Sequence, residues 1–332
     1  MLRGARSERH TGSRPGQEAT PGGLHVHVRQ PFMLPFSSVA AVRRLNRRSV
    51  IDVVQRVAAE LEMLDPIVVS TVPNACDFVG SLGARRIAYY CVDDFTQWPG
   101  LEHELVGRME RELIERSDVL IATSHNLYNR LLRSGKRTYL LSHGVDLSLF
   151  AREAPAEHEC LAKIPRPRAG CFGLFDERSD QSLIAALARR LPDHSFVFTG
   201  PVATDATRLR ALANVHFTGA VPYEELPALI KGLDTLFIPY VVNDFTATIS
   251  PLKLKEYLVT GRPVITTAMA EALLQKEHLT VARTVDEWEM ALRSGAFDDL
   301  RSRKQAMLRL MTGESWGDKA RRFVEICGTA GV

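Results

Sequence analysis

From about residue 24 onward, short apolar runs of strand length alternate with amphipathic stretches of helix length. A strand followed by a helix and then another strand returns to its sheet in parallel, with the helix laid on one face. Long repetition of that unit leaves few folds other than parallel sheets covered on both sides. The expected strands are His25–Val28, Ile67–Val69, Arg86–Val92, Val119–Ala122 and Tyr139–Leu141. After an interruption come Gly170–Leu174, Ser195–Thr199, Val215–Thr218, Thr235–Pro239 and Pro263–Thr266. Helices are expected between them, among them Arg48–Leu64, Leu101–Arg116 and Pro251–Thr260.

The interruption sets the domain organisation. Residues 151–168 carry Pro155, Pro165 and Pro167 among small and charged residues, as a linker does. The reading is a tail at 1–23 without structure, an N-terminal α/β domain at 24–150, the linker at 151–168 and a second α/β domain at 169–315. A final helix at 316–332 packs back on the first domain. Pro15, Gly16, Pro21, Gly22 and Gly23 break any helix in the tail.

Charge and cysteine bound the function. Net charge is only +3, which does not call for a nucleic-acid partner, yet residues 1–60 hold ten arginines against four acids. Such a segment suits an anionic membrane surface, or is simply a solvated helix face. Five widely spaced cysteines without a CxxC pair read as reduced thiols in a cytoplasmic protein. No run reaches the roughly 18 apolar residues of a membrane span, so any membrane association is expected to be peripheral, on the inner face.

The chemistry concentrates at Asn243–Leu258, where a strand gives way to a polar loop and then a helix. Pro251 suits the first helical position. A helix start offers unpaired amides and a partial positive charge, which suit a diphosphate. Lys253 adds a full charge there. Glu256, about one turn on, can accept from both ribose hydroxyls, or both residues are merely solvated. In the N-terminal half, Asp93 and Asp94 end a strand. Either is a candidate base for an acceptor hydroxyl, Asp94 slightly ahead, and either can instead cap the next turn. His143, before Gly144, is a candidate for phosphate or sugar contact, with a structural role the stronger reading.

Ser250–Pro–Leu–Lys–Leu–Lys–Glu–Tyr–Leu, followed by Gly261 and Pro263, resembles the donor-site signature of GT-B glycosyltransferases of the family-4 type. Gly170–Asp180, Phe196–Pro201, Asn214–Gly219 and His143–Asp146 are similar to that family in order and spacing. The resemblance implies two Rossmann-like domains facing a cleft and transfer of a sugar from a nucleoside-diphosphate sugar. The acceptor would be a glycan or polyprenyl-linked glycan, as in surface polysaccharide assembly. It assigns Thr248, Ser250, Pro251, Leu252, Lys253, Glu256, Arg178 and His143 to the donor. With no DxD motif, metal-independent action and no cofactor are expected.

Two departures stand out. Where the family often carries a first glutamate, eight positions before Glu256, this chain has Thr248. The N-terminal domain is short by one or two βα units. The alternatives are a truncated, non-catalytic member that binds nucleotide or a partner, and a nucleotide-sugar epimerase.

Overall fold

The computed structural model describes residues 17–19, 25–35, 38–294 and 299–328. Two parallel sheets form the body. The N-terminal sheet runs β3 (Ile67–Ser70), β4 (Arg86–Cys91), β5 (Val119–Ala122) and β6 (Thr138–Leu140), in that spatial order. The C-terminal sheet comprises β7 (Arg168–Phe172), β8 (Ser195–Thr199), β9 (Val215–Gly219), β10 (Thr235–Ile238), β11 (Val264–Thr266) and β12 (Thr280–Val281). Its order is β12-β11-β10-β7-β8-β9. The order reverses between β7 and β10, the doubly-wound arrangement in which the strand ends at the reversal open a crevice for ligand.

Each sheet is buried on both faces. Leu236, Ile238 and Val264 face one apolar cluster with Leu254, Tyr257 and Leu258 of the Leu252–Val259 helix. Phe196, Phe198 and Phe237 face the other with Ile184, Leu187 and Trp288. In the N-terminal sheet Tyr89 and Leu120 pack with Leu113 and Leu127 on one side. Ala88, Val119 and Ile121 pack with Ile326 and Cys327 on the other. The latter two belong to the Trp316–Gly328 helix, so the chain's last helix covers the first sheet. Burial of an isoleucine such as Ile326 contributes roughly 2 kcal/mol to that docking.

The first domain departs from expectation in three places. Gln17–Ala19 (β1) pairs antiparallel with His25–His27 (β2), inside a segment expected to lack structure. Pro and Gly exclude a helix there but not short strands on either side; residues 1–16 and 20–24 lie outside the described residues. β2 joins that hairpin and not the parallel sheet. The helix expected at Arg48–Leu64 spans Ala40–Glu60. It is pinned from the side by Arg43 on Asp77 and by Arg47 on the Asp77 carbonyl and Ser81 Oγ. Two of the arginines in the basic segment therefore serve packing. The N-terminal sheet, with four strands against six, is the smaller.

Candidate functional site

The site forms where β7 and β10 end side by side. β7 runs into Gly173, whose φ is +101°. That backbone conformation favours glycine, and a Cβ on Gly173 would lie 2.8 Å from Lys253 Cε and displace the lysine end. Lys253 Nζ sits 3.4 Å from the Leu174 carbonyl oxygen and 5.5 Å from the Tyr240 ring centre. Arg178 lies over the same ring at 5.7 Å, and both oxygens of Asp176 hold its Nε, at 2.9 and 3.0 Å. Two cations thus flank one tyrosine at the reversal point.

The Leu252–Val259 helix delivers Lys253 to that place from its first turn. Pro251, expected at the first helical position, is the N-cap instead, with ψ of 114°. Leu252 and Lys253 are therefore the first residues whose amides have no carbonyl within the helix to bond. The loop before it is more ordered than its polar composition suggests. Asp244–Ala247 is a helical turn closed by a capping box between Asn243 and Thr246. Thr248 bonds through its hydroxyl to the Phe245 carbonyl, while its own carbonyl accepts Ser124 Oγ from the N-terminal domain at 2.7 Å. Asn126 donates to the Ala247 carbonyl, and Trp98 meets Phe245 edge-on at 5.8 Å. The loop before the helix is therefore tied to the facing domain. Ser250 lines a separate cavity between the domains, with His125, Ser142 and Glu271.

Glu256 is buried one turn along on the face of Lys253, as residues three apart on a helix must be. Burial lifts its carboxyl to about 7, against pulls downward from the Tyr223 hydroxyl and Lys253. Its Oε1 accepts from Tyr223 Oη at 3.3 Å. A carboxyl held above its usual 4.5 binds its proton more tightly folded than unfolded. Its contribution to stability is complete below about pH 4.5 and is lost as pH rises through 7. The difference in melting temperature between wild type and Glu256→Gln should fall across that window and then level off, as thermal scans from pH 4 to 8 would show.

The paired aspartates separate in role. Asp94, slightly favoured from sequence, is buried, and its Oδ1 accepts the Thr96 amide at 3.0 Å as an N-cap. Arg130 Nε lies 3.8 Å from its other oxygen. That carboxylate is committed to the turn. Asp93 is half-buried. Burial raises its carboxyl to about 6, Arg178 pulls it down and Asp94 pushes it up. Asp93 therefore senses the cation of the opposite domain. Asp94→Ala should cost about 1 kcal/mol of stability, the usual worth of a cap, without changing nucleotide affinity. Denaturant titration and calorimetry check the two halves.

His143 does not join the cluster. Its ring stands 6.2 Å from that of Trp316, and its carbonyl accepts Lys255 Nζ. Burial, then Lys255, depress the imidazole to about 4, so it is neutral at pH 7. Lys255 points away from Lys253, because residues two apart lie on different helix faces. It binds Ser142 Oγ at 2.8 Å and pairs with Glu314, joining the domains. Tyr223, Tyr240, Gly173 and Lys255 were not singled out from sequence. The alternation in Lys253–Leu254–Lys255 was the available signal that the two lysines serve opposite sides.

The family model described as Glycosyl transferases group 1 matches residues 166–294, which span β7 to the Val285–Arg293 helix. Over these residues the C-terminal lobe is similar to that family. In sequence the chain is similar to the putative teichuronic acid biosynthesis glycosyltransferase TuaH of Bacillus subtilis. The two are 27% identical over 187 residues, 53% of this chain and 47% of that protein. The match thus spans about half of the relative. Among solved structures, sucrose-phosphate synthase from Thermosynechococcus elongatus aligns with a TM-score of 0.72 at 15% identity, over 94% of this chain and 85% of that one. Anabaena HepE in complex with UDP-glucose gives 0.65 at 17% identity, over 83% and 81%. The fold of both lobes together is that of the GT-B glycosyltransferases.

Proposed function

We propose that the protein is a glycosyltransferase that takes a sugar from a nucleoside-diphosphate sugar bound at the end of β7 and β10. The observation that carries this reading is the convergence of Arg178 and of Lys253, from the first turn of the Leu252–Val259 helix, on Tyr240 at the reversal point of the C-terminal sheet. Negative charge grows on the departing diphosphate, and fixed cations with oriented amides stabilise it without reorganisation. Two side-chain cations at this locus supply the charge that a metal would otherwise bring, and the proposed action is metal-independent with no cofactor. Glu256 accepts from the ribose hydroxyls. Its ionised form is the pure acceptor, so affinity for the nucleotide should rise with pH through about 7.

Asp93 faces the donor cations from the N-terminal lobe and holds the acceptor hydroxyl. Asp93→Asn should lower transfer about tenfold, the worth of one hydrogen bond to a charged group, with nucleotide affinity unchanged. The acceptor is proposed to be a glycan or lipid-linked glycan. No helix among the described residues is long and apolar enough to cross a membrane. Contact with an anionic membrane surface would run through Arg44, Arg48 and Arg56, which are exposed on the Ala40–Glu60 helix. HepE has been solved with UDP-glucose and with UDP, so UDP is the first nucleotide to try. Thermal stabilisation by UDP, GDP and dTDP, followed by donor hydrolysis, tests the reading. Stabilisation with release of sugar supports it, stabilisation alone reduces the protein to a nucleotide binder, and no stabilisation removes the donor site.

A further inference from the structure

We propose that Tyr223 is a positioning residue for the donor ribose: its hydroxyl holds the Glu256 carboxylate in the orientation that leaves the second oxygen for the sugar hydroxyls. The inference rests on the reading of Glu256 as the ribose acceptor. Tyr223 comes from the turn Tyr223–Glu225 after β9, and Glu256 from the helix that follows β10, so the pair bridges the two halves of the doubly-wound sheet.

The geometry of the tyrosine is fixed from behind. Its ring stands edge-on to Phe150 at 6.0 Å and 86°. Phe150 stacks on Phe172 at 6.4 Å, and Phe172 meets Tyr257 at 4.7 Å. Tyr257 Oη in turn accepts the Phe172 amide at 2.9 Å. This aromatic row runs from the end of β7 into the helix that carries Glu256, so hydroxyl and carboxylate belong to one packed unit. Tyr223 is exposed on its other side, which places it at the rim of the site.

The hydroxyl bonds only Oε1 of Glu256. A carboxylate has acceptor sites on both oxygens, and one bonded to a fixed donor loses its freedom to rotate out of line. The groups bearing on Glu256 are Tyr223 from the turn and Lys253 on its own helix, and both favour the ionised form against burial. Burial first, then Glu256, Asp146 and Glu224, disfavour ionisation of Tyr223, which keeps the hydroxyl a donor. Losing that donor therefore disturbs both the direction and the charge of the carboxylate.

The test uses calorimetry on the full chain with UDP and its 2′,3′-dideoxy analogue, on wild type, Tyr223→Phe and Glu256→Gln. Tyr223→Phe keeps the ring and its aromatic contacts, so folding is preserved. UDP affinity is expected to fall about fivefold in Tyr223→Phe, from the lost hydrogen bond, while the dideoxy analogue binds as to wild type. The rise of UDP affinity with pH should move to higher pH in Tyr223→Phe and vanish in Glu256→Gln. Equal weakening of both ligands would make Tyr223 a packing residue and overturn the inference, as would unchanged affinity for both. Wild type that binds UDP and the analogue equally would instead remove Glu256 from the ribose, and the inference would fall with that reading.

Discussion

Lys253→Ala should lower affinity for a nucleoside diphosphate about a hundredfold and leave affinity for the bare nucleoside unchanged. Truncating one partner of a buried, hydrogen-bonded charge pair costs roughly 2–5 kcal/mol, and each 1.4 kcal/mol is a factor of ten. The lysine crosses the end of β7 against Gly173, and it has neutral neighbours, the Leu174 carbonyl and the Tyr240 ring. A diphosphate would be its first anionic partner on that side. Arg178 is differently placed: Asp176 already takes up part of its charge, so Arg178→Ala should weaken binding less. Calorimetry with UDP and uridine measures the contrast. Parallel losses for both ligands would show that Lys253 acts on the base or ribose and not on phosphate.

Glu256→Ala should weaken UDP binding about thirtyfold, which corresponds to ~2 kcal/mol for hydrogen bonds to a charged acceptor. The fold should survive. Burial opposes the ionised carboxyl, so removing it relieves a cost at neutral pH and above. The loss should therefore be largest above pH 7, where the wild-type carboxylate is ionised, and smallest near pH 5. Isothermal titrations at both pH values, with the unfolding midpoint measured alongside, check the magnitude and its pH dependence together.

The sequence was most legible where the signal is local. The alternation of strand and helix named nearly every strand of the C-terminal sheet, because Phe196–Phe198 and Leu236–Ile238 are fully buried and read as continuous apolar runs. Lys253 and Glu256 could be placed on one face because residues three apart on a helix are neighbours. Residues whose roles depend on sheet order were out of reach. Tyr223 meets Glu256 across 33 positions and Lys255 meets Ser142 across 113, and neither periodicity nor spacing encodes those distances. Asp93 and Asp94 illustrate the limit most closely. Adjacent carboxylates at a strand end look alike in sequence, and only the direction of the following turn commits Asp94 to the Thr96 amide and leaves Asp93 toward the cleft. The final helix was legible as an amphipathic element that packs back on the first domain, while the face it covers, that of β4 and β5, became visible in the packing of Ile326 and Cys327.

The start of the Leu252–Val259 helix, with Lys253, is proposed to hold the leaving diphosphate. A crystal structure of the protein with UDP tests it most directly. β-Phosphate oxygens are expected about 3 Å from the amides of Leu252 and Lys253 and from Lys253 Nζ, as hydrogen bonds require. A nucleotide bound elsewhere, or one whose phosphates point away from that helix into solvent, would contradict it.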